Sequence, residues 1–212
     1  KLYYGEKLYG THADLEDEEQ TMYVPEVETV ALNKETETHH ALADGTVELL
    51  DTVKYRNLLP GRNYTLHGMI VEKETGNPVS EERTLEFVPE KSEGSVELGF
   101  EISADELCGK TIVVYEEIKA DGKSIAEHKD PEAKEQSIYF PEIGTKALDE
   151  NSKTQEGEAK EKQKIIDQIT YKNLLPDETY VLKGVLMDKE TGKELLDENG
   201  KRVTAGISFV PE

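Results

Sequence analysis

The chain has 212 residues, 46 of them acidic and 25 basic, for a net charge of −21; it lacks the basic footprint that nucleic-acid binding requires. No apolar run approaches the length of a membrane span, no signal peptide is present in this window, and the single cysteine, Cys108, cannot form an intrachain disulfide. If the protein works outside the cell, its stability must come from something other than cystine; a cytosolic protein would need none.

In chain order, the first landmark is "HADLEDEEQT", with His12, Asp14 and Gln20 in a His-x-Asp-x5-Gln-Thr pattern. Alternating strands come next. "PEVETVAL" places Val27, Thr29 and Ala31 on one face, and "TVELLDTVKY" places Val47, Leu49, Asp51, Val53 and Tyr55 together. "NYTLHGMIVEKETGNPV" reads as a strand running into a turn at Thr75-Gly76. "SVELGFEIS" and "KTIVVYEEI" are two more strands, and "SADELCG" between them reads as a short helical turn. His39-His40 reads as part of a solvated loop. The stretch closes on "HKDPEAKEQS", which repeats the first pattern as His128, Asp130, Gln136 and Ser137.

Matching positions of the two patterns differ by 116 (128 − 12, 130 − 14, 136 − 20). The same offset relates Tyr23 to Tyr139, Thr29 to Thr145, Asp51 to Asp167, Tyr55 to Tyr171, and the "NLLP" of Asn57–Pro60 to that of Asn173–Pro176. A unit of this length is a domain and not a solenoid repeat. Residues 1–24 read as the tail of a preceding repeat, 25–140 as a complete repeat, and 141–212 as the first part of a following one, so the window reads as cut from a longer array. In the last unit "FVPE" recurs at an offset of 122 (209 − 87), six residues more than 116, and Asn199-Gly200 marks a hairpin within that insertion. Short strands with regular turn signals predict an all-β chain of tandem immunoglobulin-like sandwiches.

Alternation also places polar residues among the apolar ones. Thr29 and Asp51 lie on the faces just described, Glu116 shares a face with Ile112, Val114 and Ile118, and Gln136 shares one with Ile138 and Phe140. Burying a polar side chain without a partner costs roughly 1–3 kcal/mol, so these four must satisfy one another. Two carboxyl groups there cannot both ionise, and one proton should be shared between them. Either this is a hydrogen-bonded network that fixes strand register, or the threonine and the glutamine react.

The openings "PEVETVA" and "PEIGTKA", the stretch "DTVKYRNLLPGRNYTLHG", the box "VVYEE" and the His-x-Asp-x5-Gln-[Ser/Thr] ending together resemble the ester-bond-forming, immunoglobulin-like (VaFE-type) stalk domains of Gram-positive surface adhesins. The resemblance covers essentially the whole chain. It implies a single-turnover, autocatalytic crosslink, not an enzyme: Thr29 would attack the side-chain amide of Gln136 with loss of ammonia. Asp51 and Glu116 would form the acid pair that polarises the amide, and His128, oriented by Asp130, would take the hydroxyl proton. It further implies an extracellular protein anchored to peptidoglycan through a region outside this chain, with neighbouring repeats as partners, an unspecified host ligand, and no cofactor. Tyr115 stands where the box has Phe, Pro131 follows the motif Asp and Ser137 the Gln; none removes a reacting group. The flanking units carry partial sets: His12, Asp14 and Gln20 before, Thr145 and Asp167 after.

Three other readings compete. An isopeptide link needs a first-strand lysine, but Lys146 faces away from Thr145 and its counterpart in the complete unit is Val30. A hydrolase built on Thr, His and Asp lacks a Gly-rich nucleophile turn. A ligand-binding adhesin module for host protein or glycan finds no aromatic platform, since Trp is absent. No metal site is expected: the acidic stretch at Asp149, Glu150 and Asn151 lacks the ordered alternation of a calcium loop and reads as solvated surface.

Overall fold

The computed structural model describes residues 1–158 and 162–212. The N-terminal segment is a hairpin of β1 (Leu2–Tyr4) and β2 (Lys7–Gly10), followed by one 3₁₀ turn, η1 (Glu18–Gln20). Then come β3 (Glu26–Asn33), β4 (Thr46–Arg56), β5 (Tyr64–Glu72), β6 (Arg83–Phe87), β7 (Gly94–Ser103), β8 (Thr111–Ala120), β9 (Lys123–His128), a second 3₁₀ turn η2 (Lys134–Gln136), and β10 (Ser137–Tyr139). The last part of the chain contributes β11 (Glu142–Asp149), β12 (Ile165–Lys172), β13 (Tyr180–Val185) and β14 (Thr204–Phe209). No helix among the described residues is long and apolar enough to cross a membrane.

Residues 26–139 form two antiparallel sheets, one ordered β3-β4-β7 and the other β10-β8-β5-β6, with β9 also paired to β8. The chain changes sheet between β4 and β5, β6 and β7, and β7 and β8, the connectivity of a sandwich. The expected all-β, tandem sandwich class is what the chain adopts. Along β4, the buried residues are Val47, Leu49, Asp51, Val53 and Tyr55, with no break in the period of two. Leu49, Leu58, Leu66, Ile70, Ile112, Ile118, Ile138 and Phe140 are all under 2% exposed and join both sheets in one core. Each such side chain contributes about 1.5–3 kcal/mol on leaving water.

One local reading needs amending. "SADELCG" is not helical: Leu107 N–H bonds Ala104 O and Lys110 N–H bonds Leu107 O, two successive turns with Gly109 at φ 74°. The Thr75-Gly76 turn and the Asn199-Gly200 hairpin are present, with both glycines at positive φ (68° and 75°).

Candidate functional site

The site lies on a seam between the sheets. β3 is the edge of its sheet and packs against β9, η2 and β10 along the edge of the other. β8 changes partner along that edge: Thr111–Val113 pair with β10, whereas Glu116–Ala120 pair with β9. The chain leaves the edge after His128 and returns through η2, which brings Gln136 to the interval between the two pairings.

Alternation delivers three of the side chains. Thr29 is 4% exposed, Asp51 0% and Glu116 1%. Ala31 pairs with Asp51 and Thr29 with Val53, so Thr29 and Asp51 are diagonal neighbours on one face. Gln136 reaches the core differently. It ends a 3₁₀ turn and is not part of a strand, yet it is completely buried, followed by the equally buried Ile138 and Phe140. Ser137 Oγ donates to Ala133 O at 2.8 Å, closing the turn. Thr21 makes the same bond to Asp17 O in the first copy, at 2.9 Å, which gives the hydroxyl after each motif Gln a structural function.

His128 reaches the site through a bulge. The β8–β9 hairpin turns at Asp121-Gly122, both at positive φ (50° and 74°), and begins with Ala120 opposite Lys123 and Lys119 opposite Ser124. The register then slips at Ile125, so that Ala126 faces Ile118 and His128 faces Glu116. Were Ile125 paired regularly with Ile118, Glu127 would face Glu116 instead. The first copy slips in the same place, between Leu2/Gly10 and Tyr3/Leu8, with Tyr9 as the extra residue.

The polar groups interlock. Thr29 Oγ1 lies 2.8 Å from His128 Nδ1 and 3.3 Å from Glu116 Oε2, and Gln136 Nε2 donates to Glu116 Oε1 at 2.6 Å. The hydroxyl and the amide are thus held by the two oxygens of one carboxyl group. Burial pushes Asp51 up to about 7; burial first, then the charge of Asp51, pushes Glu116 up to about 10. Treated as two carboxylates, the pair would leave both Asp51 oxygens without a donor. At neutral pH the proton on Glu116 removes that conflict, because its hydroxyl can donate to Asp51. Gln136 Oε1 still has no donor, and this is the atom that would turn negative if the amide were attacked.

Gly68, not singled out in the sequence, faces Glu116 across the β5–β8 pair. A Cβ there would come within 2.4 Å of Leu98 Cδ2 and 2.9 Å of Phe100 Cζ. The glycine lets these side chains of the opposite sheet pack close beside the acid pair, which dries it. Its signal was a glycine inside an apolar strand, repeated as Gly184. The histidine pair also differs from expectation. His39 and His40 are half-buried, and their segment runs parallel to β10, with His39 Nδ1 3.1 Å from Ser137 O and Tyr139 N–H bonding His39 O at 2.8 Å. This segment braces β10, the strand that follows Gln136.

Asp130 is not brought to His128. It is exposed, and its Oδ1 accepts the Glu132 backbone N–H at 2.9 Å, as Asp14 does from Glu16 at 3.0 Å. In both copies the motif Asp makes a turn. The partial sets are open: His12, Asp14 and Gln20 are exposed, with His12 Nε2 2.5 Å from Asp17 Oδ2. Thr145 and Asp167 are exposed too, on strands paired in the same register as β3 and β4.

Comparison with known proteins accords with this geometry. In structure, the chain is similar to a bacterial adhesin from Mobiluncus mulieris described as containing intramolecular disulfide, isopeptide and ester bond cross-links. In one crystal form the TM-score is 0.50 at 14% identity, covering 87% of this chain and 93% of that one. In a second crystal form the TM-score and identity are the same, with 89% and 99% covered. At this identity the likeness shows the fold. No curated protein matches the chain. The family model described as "TQ: T-Q ester bond containing domain" matches residues 25–140 and again 141–212. The chain belongs to the T-Q ester bond containing domain family, in tandem copies.

Proposed function

We propose that this chain is a stalk segment of a bacterial cell-surface adhesin, with residues 25–140 closed by an ester between Thr29 and Gln136. In this reading residues 1–24 end one repeat and 141–212 begin another. The observation that carries it is the Glu116 carboxyl group, which holds the Thr29 hydroxyl on one oxygen and the Gln136 amide on the other inside a buried pocket.

The reaction is dictated by the positions of the protons. A threonine hydroxyl is a weak nucleophile until a base removes its proton. His128 Nδ1, 2.8 Å from Oγ1, is that base. Oγ1 attacks the Gln136 side-chain carbon, and negative charge builds on Oε1, where a proton from the Asp51–Glu116 pair neutralises it. The C–Nε2 bond then breaks. The nitrogen leaves as ammonia with the proton His128 had taken, and Glu116 Oε1 at 2.6 Å guides that nitrogen. One bond forms, one breaks, and the acid pair ends as it began. Folding supplies the proximity, so each repeat reacts once and nothing turns over. Asp130 supports His128 only indirectly, by shaping the turn after it.

A covalent tie between the first and last strands suits a stalk that projects a binding domain from a Gram-positive cell wall. Attachment to peptidoglycan and the host ligand belong to other parts of such a protein. Intact mass tests the reading. The matured chain is expected to be lighter than its sequence by one ammonia, with the deficit abolished in Thr29→Ala and in Gln136→Ala. Hydroxylamine on the unfolded chain should cleave the tie as an ester. Full sequence mass in folded, matured protein would overturn the proposal.

A further inference from the structure

The side chain of Asn57, in the first "NLLP", crosses the boundary between units: its Nδ2 donates to Val24 O at 3.0 Å. Asn173, its counterpart 116 residues on, donates to Phe140 O at 3.2 Å. Val24 and Phe140 are themselves 116 apart (140 − 24), so one contact is written twice, each time from an asparagine to the last residue of the unit before it. Both asparagines sit at positive φ (60° and 57°), a conformation that asparagine tolerates better than most side chains.

At the second junction the whole amide is engaged. Asn173 Nδ2 also donates to Lys110 O at 2.5 Å, and its Oδ1 accepts the Thr111 hydroxyl at 2.8 Å. Phe140 O takes a further bond from Gly109 N–H at 2.9 Å, so one carbonyl joins the turn before β8, the end of the repeat and the next repeat. Gly109 sits at φ 74°, a conformation side chains rarely adopt, and lies against Glu142, the first strand residue of the next unit. A second arm lies on the other side of the junction. Tyr180 OH accepts Leu175 N–H at 2.9 Å and meets His40 Nε2 at 2.8 Å.

We propose that the asparagine of each Asn-Leu-Leu-Pro turn is an inter-repeat clip, and that the surface formed by Gly109, Lys110, Thr111 and Phe140 is the docking site for the next repeat. Asn173 grips the β8–β10 end of the central unit and Tyr180 grips the segment beside β10. Two separated attachments resist twisting as well as bending, which one flexible linker cannot do. Consecutive repeats therefore hold a fixed angle and the stalk behaves as a rod. This proposal concerns the joint between repeats and does not depend on the ester within one.

Residual dipolar couplings on the full chain test it. In the parent protein, couplings from 25–140 and 141–212 should fit one common alignment tensor. Asn173→Gly keeps the positive φ available and removes the amide; its couplings should need two tensors, with those of 141–212 losing magnitude. Thr111→Val removes a donor to the clip without touching the next unit, and should shift the fit the same way by a smaller amount. Two separate tensors in the parent, or a common tensor retained in Asn173→Gly combined with Tyr180→Phe, would overturn the proposal.

Discussion

The central and C-terminal units start alike and end in opposite environments. Thr29 pairs with Val53 and Ala31 with Asp51; in the later unit Thr145 pairs with Ile169 and Ala147 with Asp167. The register is the same and the residues differ only in Val53 against Ile169, yet Thr29 and Asp51 are buried while Thr145 and Asp167 are exposed. The first two strands place a hydroxyl and a carboxyl side by side, but they do not make either one reactive. The proposed reaction requires the opposite sheet, which dries the carboxyl group, raises its proton affinity and brings in Glu116, His128 and Gln136.

The sharpest way to break this contrast is to remove the proposed crosslink. Thr29→Ala should destabilise the central unit by about 4–5 kcal/mol, the chain-entropy value for a loop of this length. Thr145→Ala, in the open unit, should change neither the mass deficit nor the denaturant midpoint of this chain. Equal effects at the two threonines would dissolve the distinction.

A second test moves the base. Deleting Glu127, beyond the bulge, moves His128 from opposite Glu116 to opposite Glu117 and puts Lys129 in its place. Ester formation followed by mass after refolding should slow by about 10²–10⁴-fold, the range for loss of a general base, and His128→Ala should fall in the same range. A Glu127 deletion that matures at the parent rate would mean the register beyond the bulge has no part in placing the base.

A third test reads the acid pair through pH. In an uncrosslinked Thr29→Ala background, both carboxyls have folded pKa values raised above their unfolded ones, to about 7 for Asp51 and about 10 for Glu116. Their contribution to stability is then complete below about pH 4, where the unfolded groups hold their protons as well. It falls as pH rises, Asp51's part being lost by about 7 and Glu116's by about 10. Asp51→Asn in that background should flatten the slope of unfolding free energy against pH, and Asp167→Asn should leave it unchanged. The smallest effect belongs to Asp130→Ala, which loses one turn hydrogen bond: about 1 kcal/mol or less by chemical denaturation, with the mass deficit intact.

Strand alternation made Thr29, Asp51 and Glu116 legible, because β3, β4 and β8 keep an unbroken period of two through those positions. It could not place His128, since a one-residue bulge reverses the faces of everything beyond it and nothing in "KSIAEH" announces the extra residue. Gln136 was expected on the right face for the wrong reason: a 3₁₀ turn buries it, and the adjacent Ser137 is buried as well. The spacing of His and Asp suggested an oriented base, whereas the structure uses the Asp in a local turn that sequence proximity alone explains. His39 looked like loop because its partners, Ser137 and Tyr139, lie about a hundred residues away. Short-range periodicity carries no information about such pairings.

The complete burial of Gln136 and the near-complete burial of Thr29 also bear on the fate of the proposed bond. Hydrolysis would need a water molecule to enter the same buried pocket and attack the ester carbon from the side on which ammonia left. Ammonia, once released, is diluted into bulk solvent and does not return at useful concentration. The pocket is therefore a ratchet, and only unfolding the repeat would give solvent access to the tie that holds it folded.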